Sequence, residues 1–140
     1  MANKLTTEHV QGEVLRFWNA FSSKNAAQLK EFYAPESSVF SSVSNRSEPG
    51  RLAAARRERE YFNAKSTVRS TLGPVEVILL GEHAAVASYN FQFHASRVSG
   101  SLGSQVQENI EHGRATQVFA YDIEGKLRIM HEHLSALEKG

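Results

Sequence analysis

Near the N-terminus, apolar residues recur at helical spacing. Val10, Val14, Phe17, Trp18 and Phe21 form one broad stripe, so the spacing predicts a first helix. Thr6 or Thr7 is its natural N-cap, and it should end near residues 22–24. Asn25 stands where it can cap a short second helix over 26–33, with Leu29 and Phe32 turned inward and Pro35 as the stop. A short strand is expected over 38–43. Ser47 and Pro49 read as N-cap and first turn of a third helix over 49–64, with Leu52, Ala55, Arg59 and Phe62 as its inner face.

After residue 65 the period becomes two. Strands are expected over 67–72, 75–80, 84–96, 105–121 and 127–136. Gly73 and Pro74 mark a bend or an edge. Gly125 supplies the positive φ of a tight turn over 122–126. On the last strand Leu127, Ile129, His131 and His133 share one face; Arg128, Met130, Glu132 and Leu134 share the other. Either face is apolar near the turn and polar at its far end, as expected of a core that opens into a polar mouth. Helices first and an antiparallel meander after them give an α+β class, with helices on one face of a curved sheet in a single domain, 1–140.

The chain has 140 residues, 41% of them hydrophobic, which suffices for one real core. A net charge of +1 offers no bulk attraction for nucleic acid or an acidic membrane. The absence of cysteine excludes disulfides, thiolate metal sites and a cysteine nucleophile, and fits a cytoplasmic protein. The N-terminal residues are too polar for a signal peptide, and the longest apolar run is too short to span a bilayer.

Several residues could carry chemistry. His131 and His133, two apart on a strand, have Cα atoms about 6.5–7 Å apart, a spacing that suits chelation if His94, His112 or Glu108 adds a third ligand. Packing at the sheet surface or a dimer interface accounts for the pair more simply, so no metal is expected. Glu132 lies between them on the opposite face. If that face is concave, it is a carboxylate among apolar groups and a candidate general acid or base; otherwise it is a rim residue or an ion-pair partner of Arg114. Asn90, Gln92 and His94 form a polar stripe opposite Tyr89, Phe91 and Phe93. Either the aromatics fill the core and the stripe faces solvent, or the stripe enters a pocket and the aromatics make an interface. Tyr33 and Tyr61 could offer phenols. Arg56, Arg57 and Arg59, interleaved with Glu58 and Glu60, read as a solvated helix face.

Phe17 and Trp18, the stretch Leu29, Phe32, Tyr33, Ala34 and Pro35, and above all Thr116, Val118, Phe119, Gly125, Lys126, Ile129, His131, His133 and Ser135 carry a resemblance. The chain resembles the nuclear transport factor 2-like superfamily, the cone-shaped α+β barrel, and within it the SnoaL-like proteins and the association (hub) domain of calcium/calmodulin-dependent kinase II. Leu127 stands where such sequences usually have tryptophan. The resemblance implies a small-molecule pocket between helices and concave sheet, and a homodimer through the sheet. It places Asn90, Gln92, His94, Gln117, Phe119, Leu134, Trp18 and Tyr33 around the ligand, with Glu132 as the catalytic candidate and no cofactor. It leaves the activity open between an acid/base isomerase, cyclase or dehydratase and a non-catalytic oligomerisation module, because this fold hosts both. The hub pocket's arginines align with Asn90, Gln117 and Leu134, which disfavours an anionic ligand. Residues 38–45 hold no carboxylate to serve as the early base of the ketosteroid isomerases.

Overall fold

The structure is a computed structural model that describes residues 4–41, 47–58, 66–99 and 105–136. Helix α1 spans Thr7–Ser22, with the Thr6 hydroxyl accepting from the His9 N–H as expected of an N-cap. Val10, Val14, Phe17, Trp18 and Phe21 are buried beneath it. Lys24 takes a positive φ of 56° and turns the chain, and Asn25 caps α2, Ala26–Glu31.

Helix α2 ends two residues earlier than the sequence suggests. The Ile129 N–H captures the Phe32 carbonyl at 2.7 Å, and the chain enters strand β1, Tyr33–Ser41, at the next residue. Pro35 therefore lies inside β1, at an exposed irregular step, and does not stop a helix. Strand β2, Glu48–Pro49, leads into α3, described over Gly50–Arg57. Pro49, not Ser47, occupies the cap position. The inner face of α3 also differs from expectation: Ala53 and Ala54 are buried and Leu52 is exposed. The helix closes so tightly on β1 that a Cβ at Gly50 would meet Ser37 Oγ at 2.4 Å and the Tyr33 ring at 2.5 Å. Only small residues fit against the strand. Arg59 and Phe62 lie outside the described residues.

The remaining strands are β3 (Ser66–Leu72), β4 (Glu76–Leu80), β5 (Ala84–Ser99), β6 (Gln105–Tyr121) and β7 (Leu127–Ala136). β3 and β4 pair with successive stretches of β5, so they are one edge strand broken at Gly73 and Pro74. The sheet order is β2-β1-β7-β6-β5-β3, and the sheet is not closed. It is mixed, where the meander pattern suggests antiparallel pairing throughout: β1 runs parallel to β7. Among the described residues, three helices cover one face of the sheet. Between the two layers Phe17 makes edge contacts with Trp18, Phe32 and Tyr33, and Trp18 packs on Phe21, Tyr89 and Phe91.

One irregularity decides which side chains face this core. Phe119 pairs with Ile129, but Val118 pairs with His131, which leaves Met130 as an extra residue in β7. A β-bulge of this kind reverses the alternation of side chains beyond it. Ile129 before the bulge and Glu132 after it are therefore both fully buried. The unbroken alternation expected from the sequence does not hold across Met130.

Candidate functional site

Past the bulge, the inner face of the sheet forms ordered rows. Val39, Glu132, Gln117 and Ala87 are successive register partners across β1, β7, β6 and β5. Ser41, Leu134, Ala115 and Tyr89 form the next row. The first row is wholly buried, whereas Leu134 in the second is partly exposed.

A continuous hydrogen-bonded chain crosses these rows. Trp18 Nε1 donates to the Tyr89 hydroxyl (2.8 Å), which donates to Gln117 Oε1 (2.7 Å). Gln117 Nε2 donates to Glu132 Oε2 (2.6 Å), and the Tyr33 hydroxyl lies 2.9 and 3.0 Å from the two Glu132 oxygens. The order of donors follows from chemistry. An indole N–H can only donate, so the Tyr89 oxygen accepts from it and its own proton passes on to Gln117. The Gln117 carbonyl is thereby occupied and its amide N–H groups face Glu132. The chain ends on a group that must accept, and a carboxylate does so with both oxygens. Glu132 and Gln117 are 0% exposed. A buried polar network satisfied in this way is rigid and holds its carboxylate in one orientation.

Of the residues named from the sequence, Trp18, Tyr33, Gln117 and Glu132 come together here. Phe119 is buried one row nearer the turn, beside Ile129, and Leu134 lies one row farther from it. Asn90 and Gln92 do not join them. Tyr89 and Phe93 are buried under α1, with Phe21 against Phe93, so the alternate residues Asn90, Gln92 and His94 lie on the outer face. Of the two orientations left open, the aromatics fill the core. Asn90 instead borders an outer-face cleft of about 330 Å³ with Glu76 and Arg114. Arg114 is exposed on the face opposite Glu132. His131 Nδ1 lies 2.7 Å from the Ser38 hydroxyl, and His133 stacks on Phe40 with ring centroids 5.8 Å apart. Both histidines belong to the outer face. Among the described residues no group of three His, Asp, Glu or Cys is placed to hold a metal. Arg56 pairs with Glu48, and Glu58 with Lys30 at 3.4 Å. Tyr61 and the side chains of Arg57 and Glu108 lie outside the described residues.

The sequence left open whether Tyr89 fills the core or makes an interface, and did not place it beside Gln117. Register alone joins Tyr89 to Gln117, and no local motif signals it.

The SnoaL-like domain family matches residues 12–138. The chain belongs to that family. Its fold is shared by a nuclear transport factor 2-like superfamily protein of Salmonella enterica serovar Typhimurium, 23% identical over 94% of this chain and 91% of that one, with a TM-score of 0.74. A Streptomyces avermitilis protein provisionally named a dehydratase is 15% identical over 94% of this SnoaL-like chain and 96% of its own, at 0.77. The association domain of C. elegans calcium/calmodulin-dependent kinase II is 15% identical over 91% and 93%, at 0.71. No curated protein matches the chain. Among the described residues no helix is long and apolar enough to cross a membrane.

Proposed function

We propose that this SnoaL-like domain binds a small, uncharged molecule against the inner face of its sheet, and that Glu132 exchanges a proton with it. The carrying observation is the carboxylate itself: fully buried, fixed by Tyr33 and Gln117, and one row below the partly exposed Leu134. A positioned carboxylate suits isomerisation, cyclisation or dehydration, each of which turns on proton transfer at carbon or at a leaving hydroxyl. The dehydratase name of the Streptomyces protein of this fold is consistent with that chemistry. Trp18, Phe119 and Leu134 supply apolar walls. Asn90, Gln92 and His94 belong to the outer face and drop out of the ligand site. No cofactor is invoked, and the cytoplasm is the proposed location.

The test uses cyclohexanone as a neutral probe with exchangeable α-protons. In D₂O the wild type should deuterate it about 10²-fold faster than Glu132→Gln, followed by NMR. Equal rates would remove Glu132 from the chemistry.

A second reading is an assembly module, favoured by the association-domain structure of the same fold. We place a homodimer contact on the outer face, where Val86 and Val118 are register partners beside Ile78, which is 65% exposed. Light scattering separates the readings. A plain dimer fits the ligand-binding domain, and a larger closed ring favours the module.

A further inference from the structure

A cleft of about 400 Å³ opens beside the β6–β7 turn, between α1, the end of α2 and the start of β7. It is separate from the buried network, since Tyr33, Gln117 and Glu132 do not line it. Its apolar part is Phe32, held edge-on by Phe17, with the partly exposed Leu127 beside it. Its charged part is Arg16, Lys126 and Arg128, set against the carboxylates of Glu13 and Glu31. The two parts adjoin: the Arg16 guanidinium lies 5.5 Å from the centre of the Phe32 ring.

The cleft holds more donors than its own acceptors use. Arg16 donates through Nη1 to Glu13, and its Nε and Nη2 have no partner among the described residues. Arg128 donates through Nε to Asp122 at 3.2 Å and through Nη1 to the Glu31 carbonyl, which fixes the side chain and leaves Nη2 over. The Lys126 ammonium has only a loose, exposed pair with Glu124 at 3.9 Å. Guanidinium and ammonium groups can only donate, so what they lack is an acceptor. A planar carboxylate matches a guanidinium edge and accepts with both oxygens. Phe32 and Leu127 then take an apolar body, which a bare inorganic anion does not have. We infer that this cleft binds a small carboxylate with a flat apolar body, of the arylcarboxylate class, independently of the Glu132 reading. Arg16 meets the carboxylate, and Glu31 limits the affinity by like-charge repulsion.

The experiment titrates the protein with benzoate, benzamide and inorganic phosphate at low ionic strength, where exposed charges are least screened, and follows backbone amides by NMR. Benzoate should shift Phe32, Gly125 and Leu127 and bind about five- to tenfold more tightly than the uncharged benzamide, the worth of one charge-assisted contact at a half-exposed site. Arg16→Gln should remove most of that preference and leave benzamide unchanged. Glu31→Gln should bind benzoate about twofold more tightly than the wild type, a gain that a damaged fold would not produce. Equal affinities for benzoate and benzamide in the wild type would overturn the inference, as would benzoate affinity unchanged in both variants. Phosphate binding as tightly as benzoate would overturn the apolar half of the site. Benzoate shifts centred on Gln117 and Glu132 would overturn the location, and the deuteration experiment judges Glu132 separately.

Discussion

At the residue scale, a donor-only indole sets the direction of the buried network and a carboxylate closes it. The consequences for substitution are asymmetric. Gln117→Leu removes the acceptor of the Tyr89 proton and a donor to Glu132, and should cost about 2–4 kcal/mol in urea unfolding. Glu132→Gln keeps an acceptor oxygen in the same volume and should stay within about 1.5 kcal/mol of wild type, whereas Glu132→Leu removes the acceptor that Tyr33 and Gln117 share and should cost about 3 kcal/mol or more. Similar losses for Gln and Leu at position 132 would contradict the donor order. Gly50→Ala forces a carbon into Ser37 and Tyr33 and should cost about 1–3 kcal/mol. Trp18, Tyr33, Gln117 and Glu132 were each visible in the sequence as candidates. Their junction was not, because the partners of Glu132 stand 99 and 15 residues away and only register brings them into reach.

At the element scale, the β6–β7 hairpin joins a turn that was legible to a bulge that was not. Gly125 has φ +81°, and the Asp122 carboxylate accepts from the Glu124 and Lys126 N–H groups at 2.9 Å each. The Lys126 N–H is the main reason its carboxyl titrates below 3.8; burial opposes it, and Arg128 and the Glu124 N–H each add a smaller lowering. A depressed pKa in the folded state stabilises the protein above the unfolded value near 3.8, and the contribution is lost as pH falls through the folded value. Acidification should therefore loosen this turn, read as faster amide exchange at Gly125 and Lys126 below pH 3.8 than above it, after correction for intrinsic rates. Asp122→Asn should show no such step. Met130 is the second device. Deleting it regularises the strand, with His131 still opposite Val118 and Glu132 still opposite Gln117 on the inner face, so the shortened chain should still give a cooperative melt. A deletion variant that fails to fold would show that Met130 is not merely an extra residue in the ladder.

At the scale of the whole molecule, the three helices and seven strands of the described residues surround the network and leave an outer face with exposed Ile78 and Phe40. If that face joins two copies, Val118→Glu should convert the dimer to a monomer in light scattering and leave the buried network, on the other side of the sheet, undisturbed. The chain's own patterning determined the α+β class, the N-caps of the first two helices, the break at Gly73 and Pro74 and the two longest hairpin partners, because periodicity and turn chemistry are local and survive in the sequence. Tertiary structure alone decided three things. It made β1 parallel to β7, since the chain after α2 is captured by the Ile129 N–H rather than by its own next turn. It turned the Tyr89 face of β5 toward α1, which periodicity left open because both faces carry residues that either environment accepts. And it placed Ile129 and Glu132 on the same side of one strand, because a single unpaired residue reverses the alternation, and pairing is a relation between strands that neither strand carries by itself.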